Sequence, residues 1–237
     1  MAGIGSRFRK AGYNCPKYMI EVNGRTLFEL SLDSLVGYNK CVNKYVFVLR
    51  KEDNAVNFVT EICHSRGIEN IELLELDYQT DGQATTCMEA LRLCEDECGI
   101  LIYNIDTYVE PEMLKLSDLE GDGHIPCFHA DGIHWSFVKM NEEGLAVEVR
   151  EKERISDNCT IGAYYFSSAA LYKKLYNEYY KENINLVNNE KYVAPLYNYL
   201  IQSGGNVTIS IIDDTKVHVL GTPEEVAAYI ESINKSL

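Results

Sequence analysis

Apolar and polar positions follow two periods along this chain, and their order changes near residue 115. Within LFELSLDSL (27–35) the apolar residues Leu27, Phe28, Leu32 and Leu35 recur at helical spacing. Residues 54–66 also fit a helix, ending at Gly67. Between them KYVFVLR (44–50), a β-branched and aromatic run, predicts a buried strand. IELLEL (71–76) predicts a further strand, GQATTCMEALRLC (82–94) a helix with a small-residue start, and GILIYNID (99–106) a strand that ends in an acid. YMIEVNG (18–24) reads as a short strand or extended segment closed by Asn23-Gly24, a turn signal. Strands alternating with helices predict an α/β fold of three layers, α/β/α, around a mixed, mostly parallel sheet.

After about residue 115 strands follow one another. GDGHIPCFHA (121–130) predicts a strand, and residues 133–152 an antiparallel ribbon turning at Asn141-Glu142-Glu143-Gly144. CTIGAYYFSS (159–168) reads as one strand, residues 169–182 and 192–204 as helices, and residues 206–213 and 217–221 as strands. Pro223 opens a closing helix. Neither a repeat nor a Pro- or Gly-rich linker interrupts the chain, so residues 1–115 and 116–237 are expected to be two halves of one domain.

Composition narrows the partners. With 237 residues and 46% hydrophobic content the chain can bury a sizeable core. Its 22 Lys and Arg against 36 Asp and Glu leave a net charge of -14, which repels nucleic acid and anionic lipid but admits a small phosphorylated substrate held by local cations. No apolar run approaches transmembrane length, and the expectation is a soluble, cytoplasmic protein with no secretory segment. The eight cysteines contain no CxxC pair, which predicts structural thiols without disulfides or zinc. The five histidines lack metalloprotease spacing. Tyr172, Tyr176, Tyr179 and Tyr180 cluster on one predicted helix, where packing or a partner surface accounts for them more simply than chemistry.

Against the acidic whole, residues 1–17 carry four cations, Arg7, Arg9, Lys10 and Lys17, and no acid. GIGSRF (3–8) sets Gly3 and Gly5 beside Ser6 and Arg7, so that backbone N–H groups and a guanidinium could grip phosphate; a flexible tail is the competing reading. The spacing matches neither the ATPase phosphate loop nor the dinucleotide fingerprint. Asp106, at the end of an apolar run, could hold Mg²⁺ against a triphosphate or simply form a turn. Gly82 in TDGQATT could bring backbone to a base edge, or Thr80 or Asp81 could cap a helix there. In EKERISDN (151–158), Lys152 or Arg154 could meet a substrate phosphate, or the segment could be a solvated turn.

Taken together, MAGIGSRFRKAGYNCPKYMIEVNGRTLFE, TDGQATT, YNIDTYV, EKERISDNCTIGAYYF and VLGTPEEV resemble the motifs of the sugar-phosphate nucleotidyltransferase superfamily over nearly the whole chain. The likeness is nearest to small bacterial members of capsule and surface-polysaccharide pathways, some of which use CTP. It implies a nucleotide-diphospho-sugar transferase-like fold, with a nucleotide-binding half over 1–115 and a substrate-binding half over 116–237. The activity it implies is transfer of NMP from an NTP to a sugar phosphate or similar small molecule, with Mg²⁺ as cofactor. Ala2, Gly3 and Gly82 would touch the base, Arg7 the leaving pyrophosphate and Lys17 the reacting phosphates, with Gly5 and Ser6 in the nucleotide loop. Asp106 would hold the metal, Lys152 would approach the acceptor phosphate, and Glu190 would lie on the acceptor side.

Two features depart from the family pattern. Members carry a strand ahead of the glycine-rich loop, in the middle of the sheet, whereas this sequence starts at Met1 inside that motif. Many also place an Asp, a second metal ligand, where this chain has Val219; His218, Asp213 and Asp214 are near in sequence but do not match. The alternatives are a glycosyltransferase of related architecture, against which Asn104-Ile105-Asp106 offers only one carboxylate, and an inactive homologue acting as a binding protein.

Overall fold

Thr26 starts the first substantial helix by a reciprocal exchange: its hydroxyl accepts the Glu29 N–H at 3.2 Å, and the Glu29 carboxylate accepts the Thr26 N–H at 2.8 Å. This capping box satisfies two donors that a helix start otherwise leaves bare. The structure is a computed structural model that describes residues 1–3 and 5–236. In chain order its elements begin with α1 (Ser6–Lys10), β1 (Glu21–Val22), β2 (Arg25–Thr26), α2 (Leu27–Ser34), β3 (Tyr45–Arg50), α3 (Val56–Ser65) and β4 (Ile71–Leu76). There follow α4 (Gln83–Ala90), β5 (Ile100–Tyr103), β6 (Thr107–Val109), β7 (Gly123–His129), β8 (Ser136–Met140), β9 (Ala146–Glu151), β10 (Asn158–Thr160) and β11 (Ala163–Phe166). The last are α5 (Ala169–Tyr179), α6 (Leu196–Gln202), β12 (Val207–Ile211), β13 (Val217–Val219) and α7 (Pro223–Ser236).

Two units share these elements. The first comprises Met1–Gln79, Asn104–Leu114 and Thr215–Leu237. In it β3 and β4 pair in parallel with α3 as their crossover, β1 and β2 form a hairpin through Asn23 and Gly24, and β13 pairs antiparallel with β6. Leu27, Leu30, Tyr108 and Val226 pack in one apolar cluster of this unit, and Phe28, Leu49, Val59 and Cys63 in another. Amphipathic α2 serves both, which is why its Leu27, Phe28, Leu30 and Leu32 are all buried.

The second unit comprises Thr80–Tyr103 and Lys115–Asp214. Its seven-stranded sheet runs β5-β11-β7-β10-β8-β9, with β12 added against β7. Here the expectation of a mostly parallel sheet is corrected. Every pair on that path is antiparallel, and only β12 on β7 is parallel, with Val207 opposite Gly123. A short turn, Asn141–Gly144, returns the chain on itself between β8 and β9; the other antiparallel pairs, such as β5 with β11 and β7 with β10, join strands distant in sequence, so their direction is set by long-range pairing. The single strand expected over 159–168 is two, β10 and β11, separated where Gly162 takes a φ of 79° that a β-branched or bulky residue rarely adopts. The helix expected from 192 begins at Leu196, after Pro195. Tyr172 and Tyr180 are buried, so packing accounts for these members of the tyrosine cluster. Among the described residues no helix is long and apolar enough to cross a membrane.

The core of this unit contains one titratable group with a defined consequence. His124 on β7 is buried, its Nδ1 2.7 Å from Thr208 Oγ1 and its Nε2 3.0 Å from Ser210 Oγ, both on β12. Burial, opposed by the charge of Asp118, pushes its pKa down to about 4. Below the ordinary histidine value the unfolded chain gains a proton that the folded chain refuses, so stability falls as pH drops from about 6.5 towards about 4, by up to about 3 kcal/mol. In urea melts across that window His124→Gln should lose less stability than the wild type. Equal losses would mean that His124 charges freely in the folded protein.

Candidate active site

The glycine-rich start is held by a single apolar side chain. Phe8 on α1 is buried among Ile20, Val22, Leu27, Tyr108 and Leu220. The segment expected to be a bare loop thus contains one short helix, preceded by Gly5 with φ 65°. Lys17 follows Pro16 at the start of a 3₁₀ turn, and the next residue, buried Tyr18, donates to Asp53 Oδ2 at 2.9 Å. Asp106 lies three residues beyond β5, not at its end, in the turn before β6. Its carbonyl accepts the Leu220 N–H at 2.8 Å, and the β6–β13 pairing brings Gly221 alongside.

These segments of the first unit enclose a cleft of about 330 Å³ lined by Gly3, Gly5, Ser6, Arg7, Lys17, Asp106 and Gly221. That volume sits at the low end for a small-molecule site. Lys17 Nζ lies 3.1 Å from Asp106 Oδ2; the lysine side chain is 13% exposed and the aspartate 41%. Burial is the largest influence on Asp106 and raises its pKa, but the charge and hydrogen bond of Lys17, with help from a backbone hydrogen bond and Arg7, bring it below the usual carboxylate range. Arg7 is exposed and makes no ion pair among the described residues. Ala2, half-buried, is in the same segment but does not line the cleft. Ile4 lies outside the described residues.

Among the described residues no three His, Cys, Asp or Glu side chains gather into a cage for a cation. Mg²⁺, however, is commonly held by one or two carboxylates with water and substrate phosphates completing its shell. Asp106 fits that need, being ionised and partly open. A second carboxylate that sequence reasoning missed stands near it: Glu225 Oε2 is buried without a hydrogen-bond partner. A methyl group built on Gly221 would lie 3.2 Å from this oxygen and 3.7 Å from Asp106 Oδ2. His218 is instead 3.6 Å from Glu110, and Asp214 accepts the His129 N–H at 2.6 Å.

The remaining site residues belong to the second unit. Lys152 Nζ donates to Tyr192 Oη at 2.5 Å and sits 4.5 Å from that ring's centroid, while Tyr192 Oη donates to Glu190 Oε2 at 2.6 Å. Lys152 and Glu190 are therefore brought together by a tyrosine that no sequence motif singled out. Lys152 also holds a φ of 58°, uncommon for a residue with a side chain. Arg154 turns to Asp157 at 2.8 Å and to the carbonyls of Ala130 and Gly132. Gly82 precedes α4 with φ 143°, and a Cβ there would overlap the backbone of Lys191. Neither Thr80 nor Asp81 caps α4; Asp81 pairs with Lys191 at 2.8 Å and accepts from Thr85.

The Lys17–Asp106 pair makes a direct prediction. With Lys17→Met, burial is left with its main opponent removed, so Asp106 should titrate above its wild-type pKa. A pH titration of side-chain carboxyl ¹³C shifts reads this out. An unmoved Asp106 would show that the pair does not operate in solution.

No protein-family model matches the sequence, and no curated protein sequence does. Solved structures do. A nucleoside-diphosphate-sugar pyrophosphorylase from Vibrio cholerae RC9 is 34% identical, with a TM-score of 0.90 over 98% of this chain and 98% of that one. The inositol-1-phosphate CTP transferase of T. maritima is 16% identical, with a TM-score of 0.75 over 99% and 92% of the two chains. The CTP:phosphocholine cytidylyltransferase of Streptococcus pneumoniae is 15% identical, with a TM-score of 0.73 over 98% and 96%. The last two share the fold; the first, at its identity and coverage, shares the family. A cleft in which Lys17, Arg7 and Asp106 meet beside a glycine-rich segment is thus found in a chain that belongs to the sugar-nucleotidyltransferase and nucleoside-diphosphate-sugar pyrophosphorylase superfamily.

Proposed function

We propose that this protein transfers NMP from a nucleoside triphosphate to a sugar phosphate or a similar phosphorylated small molecule, releasing pyrophosphate. The observation that carries the reading is the Lys17–Asp106 pair in a cleft shared with Gly3, Gly5 and Arg7, in a chain 34% identical to a nucleoside-diphosphate-sugar pyrophosphorylase. CTP is the first base to test, since two proteins of the same fold are named for its use. Residues 1–115 chiefly serve the nucleotide, joined by Gly221, and the remainder of 116–237 chiefly serves the acceptor, whose product suits surface-polysaccharide assembly.

An oxygen of the acceptor phosphate attacks the α-phosphorus, forming one P–O bond as the bond to the β-phosphate bridging oxygen breaks. That oxygen is already anionic at neutral pH, because the second phosphate pKa is about 6, so no general base is needed. The barrier lies in bringing anions together, and charge compensation must supply much of the rate. Lys17 stabilises charge growing at the α-phosphoryl group, and Arg7, exposed in the cleft, holds the β- and γ-phosphates as they leave. Backbone at Ala2, Gly3 and Gly82 meets the base, with Gly5 and Ser6 at the phosphates. Lys152, steadied by Tyr192 and Glu190, receives the acceptor phosphate. Asp106 holds Mg²⁺, which when bound neutralises phosphate charge.

Pyrophosphate release should appear with one NTP and a phosphorylated acceptor in a screen of four nucleotides. Lys17→Ala should lower kcat by about 10²–10³, the usual effect of removing one such electrostatic donor. Asp106→Ala should abolish most Mg²⁺-dependent turnover, and Lys152→Ala should raise KM for the acceptor and not for the NTP. Near-normal kcat in both Lys17→Ala and Asp106→Ala would overturn the assignment, and transfer from a finished nucleotide-sugar without pyrophosphate would replace it with glycosyl transfer.

A further inference from the structure

Glu225 occupies the third position of α7, where a glutamate after a capping threonine normally turns back to the helix start. The chain performs that exchange completely at α2, with Thr26 and Glu29. At α7 it performs only half: Thr222 Oγ1 accepts the Glu225 N–H at 3.2 Å, but no hydrogen bond returns from the Thr222 N–H to the Glu225 side chain among the described residues. Oε2 of half-buried Glu225 is instead buried and, among the described residues, unpartnered, a position that costs this oxygen its hydration. It faces the space at Gly221, where the absence of a side chain leaves one point 3.2 Å from Glu225 Oε2 and 3.7 Å from Asp106 Oδ2. Of the other acids near this part of the sequence, Glu110 is satisfied by Lys216 at 2.8 Å.

We propose that Glu225 is the second protein carboxylate of the divalent-cation site, acting with Asp106 across Gly221. A cation there would give the orphaned oxygen a partner, and Gly221 would be required small to leave room. The inference rests on the nucleotidyl-transfer reading but is tested without turnover. Mn²⁺ is titrated into the full-length protein and followed by the loss of its free EPR signal, with thermal melts in parallel. Glu225→Gln should weaken Mn²⁺ binding by about tenfold or more, as loss of groups at a metal site does. Without metal it should melt no lower than the wild type, since a buried unpaired charge is removed. Mn²⁺ should raise the melting temperature of the wild type and not of the variant. Gly221→Ala, whose methyl crowds the same space, should weaken Mn²⁺ similarly, and Glu224→Gln should not. Unchanged Mn²⁺ affinity in Glu225→Gln, or no Mn²⁺ binding by the wild type, would overturn the proposal. Pyrophosphate release by the wild type judges the nucleotidyl-transfer reading separately: turnover with unaltered Mn²⁺ affinity in Glu225→Gln sinks only the ligand assignment.

Discussion

The ion pair between Lys17 and Asp106 is the contact on which the first unit's cleft depends. Asp106 offsets partial burial by standing beside an ammonium, whose charge helps hold its pKa below the usual carboxylate range. The same residue accepts the Leu220 N–H, so the segment leading to Gly221 and α7 is tied to the carboxylate that faces the cleft. Lys17 is fixed in turn by its neighbours: Phe8, whose ring lies 5.6 Å from its ammonium, and Tyr18, anchored to Asp53. Because the aspartate keeps two fifths of its exposure, the pair contributes more to charge placement than to stability.

A cation that must compensate phosphate has to be available as well as present, and the lysines of the second unit differ in this respect. Lys191 is 9% exposed and committed to Asp81 at 2.8 Å, with Tyr176 close by. Lys152 is more open and is oriented by a neutral hydroxyl and a ring face, with its nearest carboxylate, Glu151, farther off at 3.9 Å. The side chain of Glu151, the neighbouring acid, is only 6% exposed, and burial raises its pKa; it accepts a hydrogen bond from Ser136 while Lys152 stands 3.9 Å away. The left-handed backbone of Lys152 is a further local cost, of about 1–3 kcal/mol, of the kind met at functional sites.

Features that depend on near neighbours along the chain could be read before folding. The period of apolar positions located α2, α3, β3 and β4, because a helix or strand with one face buried must repeat its apolar residues at that element's own period. Gly67, Asn23-Gly24 and Pro223 marked ends and turns through their own dihedral limits. Residues 3–17 carried the glycines and cations of the cleft, and Asp106 stood out as an acid after an apolar run. Short α1, which rests on burial of Phe8, was not legible in so glycine-rich a segment. Only the tertiary structure decided the direction of the seven-stranded sheet, because which edge a strand meets depends on pairing between distant segments, as with β5 and β11. Distance along the chain likewise hid Tyr192 between Lys152 and Glu190, and hid the oxygen of Glu225 beside Gly221 and Asp106. Residue type alone made Glu225 a routine helix-start acid; its missing partner exists only once the chain is folded and water is excluded from that atom.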